Sequence, residues 1–331
     1  MLHRFARVVV AATILLLLAG SLVTSTGSGL AVPDWPTTYG WNMLTFPPSM
    51  WVGGILYEHG HRLIASVVGL LTIVLAVWLW RADERRWVKY LGMTALGTVV
   101  VQGLLGGITV LYLLPTAVST AHAALAEIFF CLTISIALVT SPAWLDERGR
   151  VDDRLLRRVA TATTVLVYLQ IVVGAAMRHS GAGLAIPDFP LMFGGLLPDR
   201  WSPAIAVHFA HRVGALVVAT AVLATSAHVW YHHSRRRELV RPAALLVALV
   251  GVEVTLGAYT VLSRRDVWIS SAHVVCGALI LAVSLVLALR SWQTLLQPAA
   301  LRTDAERALS TRSIRASSDA SAPGTPGAVR V

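Results

Sequence analysis

Eight apolar runs, each long enough to cross a bilayer, dominate this chain and limit what it can fold into. They fall at roughly 8–25, 61–80, 90–111, 118–140, 159–177, 205–230, 242–262 and 268–289. Lipid offers backbone amides no partners, so only helices or closed barrels can span it. The runs show no period-two alternation, which selects helices. Composition agrees: 13% of the 331 residues are charged, against about 25% in soluble domains. This excludes a disordered chain, a nucleic-acid-binding domain and an ordinary soluble enzyme. The expected class is an all-α integral membrane protein with eight transmembrane helices.

The net charge of +10 is explained by topology. With the N-terminus inside, 21 of the 27 Lys and Arg residues fall in the N-terminus, the even-to-odd loops and the tail, among them Arg85, Arg148, Arg150, Arg157, Arg235 and Arg290. Only Arg178, Arg200, Arg264 and Arg265 fall outside, while Arg62 and Arg212 start spans. The positive-inside rule then puts both termini in the cytoplasm of a cell (inner) membrane protein facing anionic lipid, with no nucleic-acid partner. Residues 291–331 read as a disordered cytoplasmic tail from their Arg, Ser, Ala, Pro and Gly content. Cys131 and Cys276 both lie in apolar runs, which excludes a disulfide framework. The basic start and apolar stretch of the first run resemble a signal peptide, but the repeat argues against cleavage.

The chain repeats itself with a period near 150. Residues 27–36, GSGLAVPDWP, match residues 181–190, GAGLAIPDFP, at seven of ten positions. His61-Arg62 matches His211-Arg212, His122 matches His273, and Gly106 and Thr109 match Gly257 and Thr260. Several anchors at nearly one offset make a strong signal. Each half holds four spans, an even number, so the halves share one orientation and are expected to form two tandem pseudo-symmetric four-helix bundles. The domains are therefore 1–150, 151–290 and the tail.

Eleven histidines occur. His3, His228, His232 and His233 lie near cytoplasmic ends and read as solvated, and His59 and His179 lie at outer edges. His61, His122, His208, His211 and His273 start the even-numbered spans. Ionisable groups inside a span are costly and point to function. Four at matched depth, in repeat-related pairs, give each bundle two facing imidazoles, as axial ligation of a haem iron requires. Structural zinc would need more N or S ligands than either bundle offers there. Arg62, Arg212 and Arg178 could pair with a propionate or snorkel to headgroups. Glu58, three residues before His61, is replaced by His208 in the second half, so only the first has a carboxylate able to act as base, water holder or cation stabiliser. Glu253 corresponds to Gln102, Glu127 points away from His122, and Gly103 and Gly107 suggest close helix packing.

Over about residues 5–290 these features together resemble the haem A synthase family: eight spans in two halves, the repeated Pro-Asp segment, Glu58-x-x-His61-Arg62, His122, His211 and His273. The resemblance implies a first half that binds the substrate, haem O, between His61 and His122 with Glu58 catalytic. It implies a second half holding a haem b cofactor between His211 and His273, and the residues leave open whether His208 touches that cofactor or only buttresses its ligand. The implied reaction oxidises the C8 methyl to a formyl group by successive hydroxylations, with water as oxygen source, near the outer face. Implied partners are a haem O synthase and cytochrome c oxidase assembly factors, and a homo-oligomer is compatible with the sequence. Many bacterial members carry a cysteine pair in the first outer loop; here that loop has none. Two other functions fit the residues alone: a b-type cytochrome exchanging electrons with quinone, and a non-catalytic haem-binding assembly protein. One ligand depth per helix disfavours the former, and Glu58 disfavours the latter.

Overall fold

The computed structural model describes residues 1–145 and 151–296. The positions of Arg148, Arg150 and most of the expected tail lie outside them. Among the described residues the fold is helical throughout: α1 (Leu2–Ser25), α2 (Gly54–Ala82), α3 (Arg86–Leu111), α4 (Thr116–Val139), the short α5 (Pro142–Leu145), α6 (Arg154–His179), α7 (Pro203–His232), α8 (Arg237–Leu262) and α9 (Val267–Leu296). All but α5 are long and apolar enough to cross a membrane, so this is a multi-pass membrane protein.

Helices α1 to α4 touch in a ring, each against the next and α4 back onto α1. Helices α6 to α9 do the same. The rings meet where α1 and α4 pack on α6 and α9, and α4 and α9 are the most buried spans. Each ring has its own apolar core: Val68, Leu75, Leu79 and Phe129 in the first, Leu156, Val222, Leu246 and Leu281 in the second. Phe130, Ala278 and Ala282 fill the seam with Val10, Ile14 and Leu17. Association in lipid depends on close packing rather than on expelling water. Gly92 shows this, since a Cβ there would press on Leu79 of α2.

The helices outrun the apolar windows. α2 begins at Gly54 rather than near 61 because Glu58 and His59, polar in sequence, are helical and buried. The key histidines therefore sit about two turns inside their helices. α9 continues to Leu296, and Ser291 and Gln293 are fully buried. Arg290 donates to the carbonyl of Ala143 and Gln293 to that of Trp144. The expected tail thus begins later than residue 291, because its first turn has polar partners on α5 and its neighbour.

Two long connections, α1–α2 and α6–α7, cover one end of the rings, here the loop face; the opposite face is arginine-rich. Gly27 and Gly181, 154 residues apart and at matching places in the repeat, leave their helices with φ of +68° and +76°, a region that disfavours side chains.

Candidate functional site

Four histidines project between the helices just beneath the loop face, each seated against a glycine of the preceding helix. A Cβ added at Gly20 would lie 3.0 Å from Cε1 of His61; at Gly106, 3.3 Å from His122; at Gly174, 2.8 Å from His211; and at Gly257, 3.2 Å from His273. Four glycines thus cut four matching seats. In the sequence Gly106 and Gly257 mark the repeat, and Gly20 and Gly174 match each other at an offset of 154.

In the second half the rings of His211 and His273 stand 6.4 Å apart, centroid to centroid. Two metal–nitrogen bonds of about 2.0–2.1 Å, extended by the ring radii, would separate two axial imidazole centroids by about 6.3 Å. Gln170 donates to the carbonyl of His211 at 2.7 Å, and its amide nitrogen lies 3.0 Å from Nδ1. Oε1 of Glu253 lies 3.1 Å from Nδ1 of His273. In the first half His61 and His122 lie close enough to interact electrostatically, and Gln102 donates to the carbonyl of His122 at 2.9 Å. Nδ1 of His61 and Nδ1 of His122 are buried without a hydrogen-bond partner. Orphaned buried imidazole nitrogens in glycine-cut seats suit bis-imidazole haem ligation in donor chemistry and in spacing. An apolar cleft of about 420 Å³ between α6 and α7, lined by Val173, Phe209, Val213 and Val217, reaches Gln170.

Both Pro-Asp segments fold back onto the even helices. Glu58, 3% exposed, accepts the Val32 N–H at 2.8 Å and pairs with Arg62 at 2.6 Å. Arg62 also donates to the carbonyls of Val32, Asp34 and Thr37. In the second half His208 faces the Ile186 N–H and Nε of Arg212, each at 3.3 Å. Arg212 donates to the carbonyls of Ile186, Asp188 and Leu191. The propionate pairing expected for Arg62 and Arg212 is thus left with one N–H on each guanidinium. Arg178 donates to the carbonyl of Ser21 and to Ser25 on α1, tying the second ring to the first.

The loop carboxylates are fixed in the same manner. Burial pushes Asp34 upward, but the Gly40 N–H, the Thr37 hydroxyl and the Tyr39 N–H outweigh it and hold the carboxyl below its ordinary value. The Gly194 and Phe193 N–H groups do the same for Asp188. His59, expected at an edge, is fully buried between the rings of Phe46 and Trp51.

Two further expectations are corrected. His228 and His233 are not solvated: each is hydrogen-bonded to Asp153 and mostly buried. Gly107 does not serve helix packing but makes room for the indole of Trp35, and Gly103 has open space around it. Glu127 is buried, near Cys131 and Tyr168 at the seam between the rings, with Oε2 unpartnered. Cys131 and Cys276 are both free thiols, as read from the sequence.

The fold and this arrangement define a multi-pass membrane protein with paired, partly buried imidazoles in each half. Over residues 3–285 the chain matches the COX15-CtaA family, described as a cytochrome oxidase assembly protein, and it belongs to that family. Among its relatives is the haem A synthase of Geobacillus kaustophilus, 28% identical over 300 residues that cover 87% of this chain and 91% of that protein. The haem A synthase of Symbiobacterium thermophilum is 33% identical over 260 residues, covering 75% and 81%. That of Halalkalibacterium halodurans is 30% identical over 271 residues, covering 78% and 87%.

Proposed function

We propose that this chain is a haem A synthase of the cell membrane, oxidising the C8 methyl of haem O to a formyl group. The observation that carries the reading is the set of four partly buried imidazoles, each in a glycine-cut seat, in two repeat-related pairs. His61 and His122 hold the substrate haem in the first half, residues 1–150. His211 and His273 hold a haem b cofactor in the second, residues 151–290, where His208 and the Gln170 amide flank the first ligand. The two halves descend from one duplicated four-helix unit and stand as pseudo-symmetric bundles. When bound, the haem b would supply one-electron redox capacity, taking in turn the four electrons that methyl-to-formyl oxidation by water releases and passing them to a one-electron acceptor outside the chain.

Glu58 is the catalytic carboxylate. Its place on the first turns of α2, three residues before His61, puts an anionic acceptor beside the substrate pocket and beneath the loop. There it can take the protons that the methyl group and the attacking water give up. Arg62 and the Val32 N–H fix its orientation, so the loop closes the pocket and positions the base together. Both termini lie in the cytoplasm, and the histidines lie near the outer face. A haem O synthase supplies the substrate, and oxidase assembly factors receive the product.

The test is expression in a host that makes haem O but no haem A, followed by analysis of extracted haems. Haem A is expected. Its absence from a folded, haem-loaded protein would refute the proposal.

A further inference from the structure

We infer that Asp153, His228 and His233 form a binding site for a first-row divalent transition-metal ion on the arginine-rich face, separate from the haem histidines. Asp153 precedes α6, and its Oδ1 accepts the Leu156 N–H at 2.9 Å, which caps the helix. That leaves Oδ2 for the end of α7, where Nε2 of His228 in the last turn and Nε2 of His233, the residue that follows the helix, both approach it at 2.8 Å. The three side chains are 18%, 14% and 12% exposed. Their three donor atoms all lie within 4.8 Å of one another. Tetrahedral ligands at about 2.0–2.2 Å from a common ion stand about 3.3–3.6 Å from one another, so only small shifts from such spacings are needed. His232, its ring centroid 4.5 Å from that of His228, is the nearest further imidazole.

The donor set decides the class of ion. Two imidazole nitrogens and one carboxylate oxygen suit zinc, cobalt, nickel, copper or iron(II), whereas calcium and magnesium demand oxygens. The carbonyl end of α7 favours a cation. Neighbouring arginines, among them Arg157 paired with Asp152 at 2.8 Å, oppose cations held loosely, so direct ligation is required. The site is also no remnant of the duplicated haem machinery. At an offset of 150, Trp78, Ala82 and Asp83 stand where His228, His232 and His233 stand, and Asp83 is taken up by Arg85. Seventeen residues of helix, about 25 Å, separate His228 from His211.

The experiment uses the untagged, full-length, haem-loaded protein, so that the haem ligands are occupied. Zn²⁺ binding is followed by competition with a chromophoric chelator, and Co²⁺ by its visible absorption. One equivalent of Zn²⁺ is expected, with the midpoint of thermal unfolding raised by the ion. D153N, which keeps an oxygen for the Leu156 N–H, and H233Q should each weaken binding at least about tenfold, the equivalent of 1.4 kcal/mol. The triple variant D153N/H228Q/H233Q should lose the site and the thermal response while its haem spectrum stays unchanged. Equal Zn²⁺ uptake by wild type and triple variant would mean adventitious binding and overturn the inference. So would a wild type whose unfolding ignores Zn²⁺ while the variants unfold earlier, since the cluster would then only cap and staple the helices. Should the triple variant fail to fold, the two single variants decide between these outcomes.

Discussion

Positions 58 and 208 occupy the same place in the two halves and meet the same two donors, a loop N–H and the arginine one turn on. Glu58 meets them with two carboxylate oxygens at 2.8 and 2.6 Å. His208 meets them with two ring nitrogens, both at 3.3 Å. A neutral imidazole has a single acceptor nitrogen, so it can satisfy only one of the pair. The site geometry is therefore built for an anion, and the second half has given that anion up. A half that only holds a cofactor needs no carboxylate, whereas one that removes protons does. Around the ligands the differences run the other way. Gln170 and Gly214 replace Leu16 and Ile64, and a Cβ at position 214 would collide with the Gln170 amide. The second half thus invests in fixing His211 and the first in fixing Glu58.

The largest effect that could break this contrast is expected at Glu58. E58Q keeps an acceptor for the Val32 N–H but removes the charge. Haem A formation should fall by about 10²-fold or more, while the second-half haem stays bound, as read from extracted haems and the Soret band. Loss of that haem instead would show that the halves are not divided in this way. The reciprocal change, H208E, should restore two good acceptors to the second loop and raise stability by about 1.5–3 kcal/mol if the charge-assisted bonds form, read as a higher unfolding midpoint.

Next in size are the glycine seats. G174A brings a methyl group to 2.8 Å from His211, and G20A brings one to 3.0 Å from His61. Overpacking of this kind costs about 1–3 kcal/mol. G174A should deplete the cofactor haem and G20A the substrate haem. Quantifying bound haem in each variant checks the assignment, and the same haem lost from both would merge the two sites.

Much of this was legible because the chain states its plan twice. His61, His122, His211 and His273 could be paired by offset alone, and the Glu58-to-His208 exchange stands out against an otherwise matched background. What a repeat cannot reveal is which distant backbone a side chain will meet. The carbonyls that Arg62 binds lie 25 to 30 residues away, and no periodicity marks them. His228 and His233 looked solvated because Asp153 is 75 and 80 residues distant. The helix starts were misplaced for a related reason: a hydropathy window stops at Glu58 and His59, although burial with partners lets the helix run on.

A finer probe is E253Q. Removing a carboxylate 3.1 Å from Nδ1 of His273 takes away negative charge that favours the oxidised iron of a bound haem. The midpoint potential of the second-half haem should rise by tens of mV, about 59 mV for each tenfold change in relative stabilisation. Q102E, the reciprocal change, should leave that potential alone. A spectroelectrochemical titration of both variants separates a local effect from a general one.

The smallest effect lies in the loops, which differ as the helices do. Asp34 accepts from the Tyr39 and Gly40 N–H groups and the Thr37 hydroxyl, whereas Asp188 accepts only from the Phe193 and Gly194 N–H groups, Leu191 standing where Thr37 does. Both carboxyls are held below their ordinary value. A carboxyl lowered by folding stabilises the fold above its unfolded value, about pH 4, and that contribution is lost as pH falls through the folded value. Both loops should therefore be closed at neutral pH and loosen in acid below about pH 4, with D34N and D188N removing that pH dependence. Hydrogen exchange at Gly40 and Gly194 reads each loop separately. Because Asp34 has the additional hydroxyl partner, D34N should lower protection at Gly40 more than D188N lowers it at Gly194, by up to about tenfold. Equal losses would mean that Thr37 adds nothing and that the loop over the proposed substrate pocket is held no more firmly than its counterpart.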